Sequence, residues 1–205
     1  MLTIQSIDGA INGRTHKPAA FMPAPHHAAV ALILADGATG LEACFIRRAE
    51  RDGDPWSGQV AFPGGRASAG DSHALDVAQR ETREEIGLTI TAQDYLGPLP
   101  VQELSRGGRA MTLSPFVYYA APDRNRRMPQ QVATAYQPTE VASVFWVPLE
   151  HLFDKRSRTT LDYPQGGALT EFPGIGFGEH VIWGLTLRVL GTFADLVRRP
   201  LATGE

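Results

Sequence analysis

The sequence predicts a mixed α+β domain in which a central helix packs on or between β-strands. Three observations predict it: two apolar stretches joined by a Gly-containing turn, a charged helical stretch with a separate apolar side, and a long amphipathic stretch near the C-terminus. Residues 1–27, with Gly9, Gly13, Pro18, Pro23 and Pro25 and no sustained period, read as an irregular arm with one short strand at its start. A single domain is expected over 28–199, with 200–205 as a tail. AAVALIL (28–34) and LEACFI (41–46) flank DGATG (36–40), which signals a hairpin whose first strand is apolar on both faces. Residues 47–65 read as loop. A helix should start near Asp71 or Ser72, either of which can cap it, and stop at Gly87. Short segments at 88–90, 95–96, 99–101 and 115–119 precede a polar, Arg- and Gln-rich loop over 123–137. A strand over 141–147 leads into a short helical turn over 148–152. Finally, 180–199 reads as one helix with Ile182, Leu185, Val189, Phe193 and Leu196 on its apolar side.

Composition narrows the function classes. With 205 residues the chain can bury a substantial core. A formal charge of −3 provides no whole-molecule field that would draw it to nucleic acid or an anionic membrane, so neither partner is expected. No apolar run approaches the ~20 residues of a membrane span. Cys44 is the one cysteine, which excludes an internal disulfide and makes a reducing cytoplasm the expected location.

The chemistry is concentrated in RETREEIGL (80–88). Like charges three and four residues apart destabilise a helix by about 0.2–0.5 kcal/mol per pair, so Glu81, Glu84 and Glu85 either have a role that offsets this cost or form a solvated face of a surface helix. At 100° per residue the three carboxylates share one face, and Leu75, Ala78, Thr82 and Ile86 form a separate apolar side. The helix is entered from FPGG (62–65), whose glycines leave backbone carbonyls open to close approach. Carboxylates beside free carbonyls make an all-oxygen site suited to a hard cation such as Mg²⁺, held together with substrate phosphate and water. Arg80 flanks the acidic face and can orient one of its carboxylates. The set predicts metal-assisted chemistry at a phosphoryl group.

From Gly65 to Leu88 the sequence resembles the signature of the Nudix hydrolases, G-x5-E-x7-R-E-U-x-E-E-x-G-U with U apolar. It departs at Thr82, which occupies an apolar position, at Asp71, which stands where Glu is usual, and by one extra residue before Arg80. The last two departures resemble a branch of coenzyme A diphosphatases. The resemblance implies a Nudix-type α/β/α sandwich with a mixed sheet and a C-terminal helix. It also implies hydrolysis of a nucleoside diphosphate linked to a moiety X. Glu81, Glu84 and Glu85, with the carbonyl of Gly64 or Gly65, are implied as the Mg²⁺ or Mn²⁺ set, and Arg80 as the residue that holds a glutamate in place. Glu84 also counts in the catalytic set. The general base varies across the family; the candidates are Glu140 first and Glu103 second.

Upstream, Arg48-Ala49, Gly58 and FPGG match the order of a second coenzyme A diphosphatase signature. The arginine expected between them falls on Gly53 or Asp54, with Arg51 nearby. Coenzyme A or an acyl derivative is therefore the favoured substrate. The rivals are a broader pyrophosphatase for ADP-ribose, nucleotide sugars or nucleoside triphosphates, and a non-catalytic nucleotide-binding module, against which the intact acidic face argues. Arg48 and Trp56 are candidate substrate contacts, although Trp56 can equally pin its Pro-Gly loop. Arg106 and Arg109, on a glycine-rich turn, can meet a pyrophosphate or remain solvated. His26, His27, His151 and His180 have no ligand-like spacing. A homodimer served by the Pro-rich arm is compatible with the resemblance.

Overall fold

The computed structural model describes residues 1–13, 20–22, 26–53, 56–106, 109–121, 137–165 and 167–204, with Arg106 and Arg109 described in backbone only. A mixed sheet of eight strands organises it. β1 (His27–Gly37) and β2 (Gly40–Arg48) form the hairpin expected from sequence, closing at Gly37 opposite Gly40. β3 (Val60–Ala61) extends β2, and β4 (Gly64–Arg66) pairs with the start of β1. Next come α2 (Ala74–Ile86), preceded in the chain by α1 (Ile4–Asn12), and then β5 (Tyr95–Pro98), β6 (Gln102–Arg106) and β7 (Arg109–Tyr119). β8 (Val141–Pro148) pairs with the far edge of β2 and runs straight into α3 (Leu149–Phe153). β1 and β7 are parallel from His27 opposite Thr112 to Leu34 opposite Tyr119, whereas the other pairings in this sheet are antiparallel. A second, three-stranded sheet, β9 (Arg158–Gln165), β10 (Ala168–Phe177) and β11 (His180–Trp183), leads into α4 (Gly184–Leu196).

Alternation along β1 divides the core in two. Ala29, Ala31 and Ile33 turn to one face, where Val77, Ala78 and Ile86 of α2 pack on them together with Cys44 and Ile46. Ala28, Leu32 and Leu34 turn to the other face, which is covered by Ile7 and Ile11 of α1, Leu149 and Leu152 of α3, and Val189, Leu190 and Phe193 of α4. Helices on both faces of a mixed sheet are the fold class that the sequence predicts. No helix among the described residues is long and apolar enough to cross a membrane.

Four expectations need correcting. Residues 4–12 are helical rather than irregular or extended, because Thr3 and Ser6 cap the first turn reciprocally and Ile7 and Ile11 are inserted into the core. The cap of α2 is His73 rather than Asp71 or Ser72; Asp76 reaches back to accept the N–H groups of Ser72 and His73 at 3.0 and 2.9 Å. Residues 180–183 form a strand on β10, and Gly184, at φ 59, makes the left-handed corner at which α4 begins. Residues 47–65 are not all loop, since they include the end of β2, β3 and the start of β4; of the short segments, 95–96 and 115–119 fall in β5 and β7, and 88–90 and 99–101 in no strand. All but the last residue of the polar loop expected at 123–137 lies outside the described residues.

Ile11 is 1% exposed, so Ile11→Ala should lower the unfolding free energy by about 2–5 kcal/mol in urea titration, which an appended arm would not do. Glu150 accepts two bonds from Arg199 at 2.7 and 2.9 Å, and this guanidinium holds its carboxyl below the usual carboxylate range. A depressed folded value contributes stability above the unfolded value and loses it as pH falls through the folded one. Both groups are partly exposed, so Glu150→Gln should cost about 0.5 kcal/mol at neutral pH. That difference from wild type should begin to close as pH falls below the ordinary carboxylate range and vanish below the depressed folded value, as read in thermal melts.

Candidate active site

The site forms where β4 pairs with the start of β1 and the chain then turns back as α2. Phe62 anchors the entry by stacking on Phe45 at 5.0 Å, and the N–H of Ala31 donates to the Pro63 carbonyl at 2.8 Å. Gly64 then runs so close to β1, at φ 151, that a Cβ there would lie 2.3 Å from the Ala29 carbonyl oxygen. A Cβ on Gly65 would instead lie 2.5 Å from the Glu81 carboxyl carbon. A side chain at Gly64 would press on backbone, whereas one at Gly65 would press on the movable end of Glu81.

Arg80 gathers the acids. Its Nε and Nη2 donate to the two oxygens of Asp71 at 3.1 and 2.9 Å, a bidentate pair. Nη1 donates to Glu81 at 2.8 Å and to Glu84 at 3.0 Å, and Nη2 also reaches the Arg66 carbonyl at 3.1 Å. Asp71 is nearly buried, accepts the N–H and hydroxyl of Ser68, and is held below the usual carboxylate range chiefly by Arg80. Its place in the fold is thus the back of the arginine, which explains why it does not cap α2.

Glu85 has a different environment. It is 3% exposed and accepts the Gly64 N–H at 2.8 Å. Burial, reinforced by the charges of Glu81 and Glu140 and opposed by the Gly64 bond and Arg48, pushes its carboxyl up to about 8. Glu81 is also raised, by burial first, against the pull of Arg80. Both shifts are led by burial, which disfavours the ionised carboxylates unless a cation is brought beside them.

These groups line a cleft of about 690 Å³. Glu81, Glu85, Glu140, Gly64 and Gly65 form its polar side with Arg48, Arg51 and Trp56, while Val30, Leu104, Met111, Leu113 and Leu185 form an apolar wall. Of the residues singled out from sequence, the fold brings Glu81, Glu85, Glu140, Gly65, Arg48 and Trp56 together. Arg80 stands behind Glu81, and Glu84 lies on the flank of the helix, outside the cleft lining. Glu103 faces a neighbouring hollow and accepts the Thr112 hydroxyl. Arg106 and Arg109 close the β6–β7 hairpin opposite one another, and their side chains lie outside the described residues. Trp56 has Arg66 over its ring at 5.8 Å. Sequence reasoning missed the apolar wall, because Val30 of β1, Leu104 of β6, Met111 and Leu113 of β7 and Leu185 of α4 come from separate elements that only the tertiary structure brings together, and it noted Arg51 only as a neighbour of the missing signature arginine. No three carboxylate, imidazole or thiolate side chains among the described residues are drawn into a metal-holding cluster; Glu81 and Glu84 are turned onto Arg80 and Glu85 onto Gly64.

Residues 25–165 match the family description "NUDIX domain", more than half of the chain, and the protein therefore belongs to the Nudix family of hydrolases. Among its relatives is a Nudix hydrolase, NudL, of Photorhabdus laumondii, 32% identical over 69% of this chain and 70% of that one. A mouse protein named mitochondrial coenzyme A diphosphatase NUDT8 is 29% identical over 89% of this chain and 80% of its own length. The crystal structure of a MutT/nudix family protein from Enterococcus faecalis shares the fold, with a TM-score of 0.56 and 17% identity over 91% of this chain and 66% of that one.

The two glycines make separable predictions. Gly64→Ala presses on backbone and should lower the thermal midpoint markedly, whereas Gly65→Ala should spare the midpoint and displace the Glu81 carboxylate. Hydrolytic turnover of Gly65→Ala, measured beside its melting curve, should fall at least tenfold while the protein remains folded.

Proposed function

We propose that the cleft hydrolyses the diphosphate linkage of a nucleoside diphosphate derivative, with coenzyme A or an acyl-coenzyme A as substrate and 4'-phosphopantetheine and 3',5'-ADP as the products from coenzyme A. The observation that carries this reading is the buried Glu85 carboxylate beneath Gly64, with Glu81 and Glu140 walling the same cleft. The donor set fits Mg²⁺ or Mn²⁺: hard carboxylate oxygens, burial that disfavours ionisation of Glu81 and Glu85 until a cation is near, and at Gly65 a backbone so close to the Glu81 carboxylate that it leaves no room for a Cβ. Glu81 and Glu85, with the Gly65 carbonyl, are the groups in the cleft that would hold the ion, and Glu84, on the flank of the helix, would join them on turning from Arg80. Bound there, it neutralises phosphate oxygens and acidifies the attacking water.

The chain's own residues account for the rest. Arg80 fixes Glu81 and Glu84 while Asp71 fixes Arg80. Glu140 takes one proton from the water as its oxygen bonds to phosphorus and the bridging P–O bond breaks, leaving two phosphate monoesters. Arg48 and Trp56 line the cleft where the nucleotide would lie, and the apolar wall suits a largely uncharged moiety X. The order Arg48-Ala49, Gly58 and FPGG and the coenzyme A diphosphatase name of the mouse relative both support coenzyme A. The missing arginine at Gly53 or Asp54 is what keeps a broader nucleotide pyrophosphatase as the second reading.

Glu81→Gln and Glu85→Gln should each lower Mg²⁺-dependent turnover by orders of magnitude, with melting temperature unchanged or raised because repulsion is relieved. Mg²⁺ should raise the melting temperature of wild type and not that of Glu85→Gln. Undiminished turnover in both variants would overturn the site. Among coenzyme A, ADP-ribose, NADH, diadenosine polyphosphates and nucleoside triphosphates, coenzyme A should be cleaved in the fastest group; a clear preference for triphosphates would overturn the substrate.

A further inference from the structure

Glu140 stands on a turn before β8, and the chain needs some means of holding that turn over the acids of α2. The backbone supplies part of it: Ala49 N–H donates to the Glu140 carbonyl at 2.9 Å, and Glu140 N–H donates to the Gln137 carbonyl at 3.0 Å. Beyond the β2–β8 ladder, which reaches Arg48 opposite Val141, the Arg51 side chain crosses to the same turn. Arg51 Nε donates to the Thr139 carbonyl at 2.8 Å, and Nη2 approaches the Glu140 carboxylate at 3.4 Å. Arg51 is itself held by its own N–H, which donates to the Ser57 hydroxyl at 2.8 Å. Both Arg51 and Glu140 line the catalytic cleft and are about half exposed.

The two contacts differ in kind. The short bond to Thr139 fixes the backbone one residue before Glu140 and so sets where its Cα stands. The longer contact orients the carboxylate without burying or locking it. A planar fork with separate Nε and Nη2 donors can serve a carbonyl and an adjacent carboxylate together, whereas a single ammonium on a flexible stem cannot hold both in one geometry. An exposed ion pair of this length adds little stability by itself.

We propose, resting on the hydrolase reading with Glu140 as base, that Arg51 is the positioning residue for Glu140. It holds the loop after β2 and the turn before β8 in one register, so that the carboxylate stands where the attacking water is deprotonated. A misplacement of about 1 Å in such a group can cost on the order of a hundredfold in rate.

The test is a double-mutant cycle on the full chain with Mg²⁺ and coenzyme A. Arg51→Ala should lower kcat about ten- to a hundredfold with KM within about twofold of wild type and an unchanged melting temperature. Arg51→Lys should remain slow. Glu140→Ala should be slower still, and the double variant no slower than Glu140→Ala alone, because Arg51 acts through Glu140. Unchanged kcat in Arg51→Ala, a raised KM with unchanged kcat, or losses that multiply in the double variant would each overturn the positioning role. Wild-type turnover accompanied by any of these leaves the hydrolase reading standing, whereas absence of wild-type turnover on every substrate of the panel overturns both.

Discussion

One guanidinium makes the site possible. Arg80 meets Asp71, Glu81 and Glu84 and an Arg66 carbonyl with its donors, and through them ties the loop before α2 to the acidic face of that helix. Without it, two acids would repel on adjacent turns and Asp71 would be nearly buried without a counter-charge, a costly state for a carboxylate. A lysine could not reproduce the arrangement, since the bidentate pair with Asp71 requires Nε and Nη2 together. The repulsion evident in the sequence is therefore redistributed rather than endured: two acids of the trio lean on Arg80, and the remaining acid, Glu85, is buried against a backbone N–H.

That division creates the functional asymmetry of the helix. Glu84 is turned outward and stays partly exposed, while Glu81 and Glu85 face the cleft in surroundings that disfavour their ionised forms. Burial dominates in both, so their charge is held at high energy by the fold itself. Across the cleft Glu140 adds to the same field from a different sheet edge, and its position depends on loops and not on helical periodicity.

Local periodicity made the central elements readable. The β1–β2 hairpin and the α2 face followed from apolar spacing and from Gly87, and the acidic trio from its own spacing. α1 went unread although Ile4, Ile7 and Ile11 have helical spacing, because the Gly and Pro residues around it suggested irregular chain. β9 and β10 were missed for another reason: they are largely exposed, and a hairpin stabilised by pairing needs no apolar stripe. At residues 180–183 a β-rich tetrad was absorbed into the amphipathic run that follows, and only the backbone of Gly184 separates them. In the site, Glu140 was legible as a strand-end acid and Asp71 as a signature position. The pairings Arg80–Asp71 and Arg51–Thr139 were not, because they join segments whose approach only the tertiary structure sets.

The small residues of β1 have a consequence beyond packing. Ala29 and Ala31, both fully buried, are the surface on which α2 rests, whereas the opposite face of the same strand carries Leu32 and Leu34. Side-chain volume on that one face acts as a spacer that sets how near the helix, and with it Glu85, comes to the glycines of β4. Bulk introduced there would lift the acid away from Gly64 without altering Glu85 itself. The calibre of the cleft is thus written in the methyl groups of a core strand, and variation at these alanines would act on catalysis while looking like a change of packing.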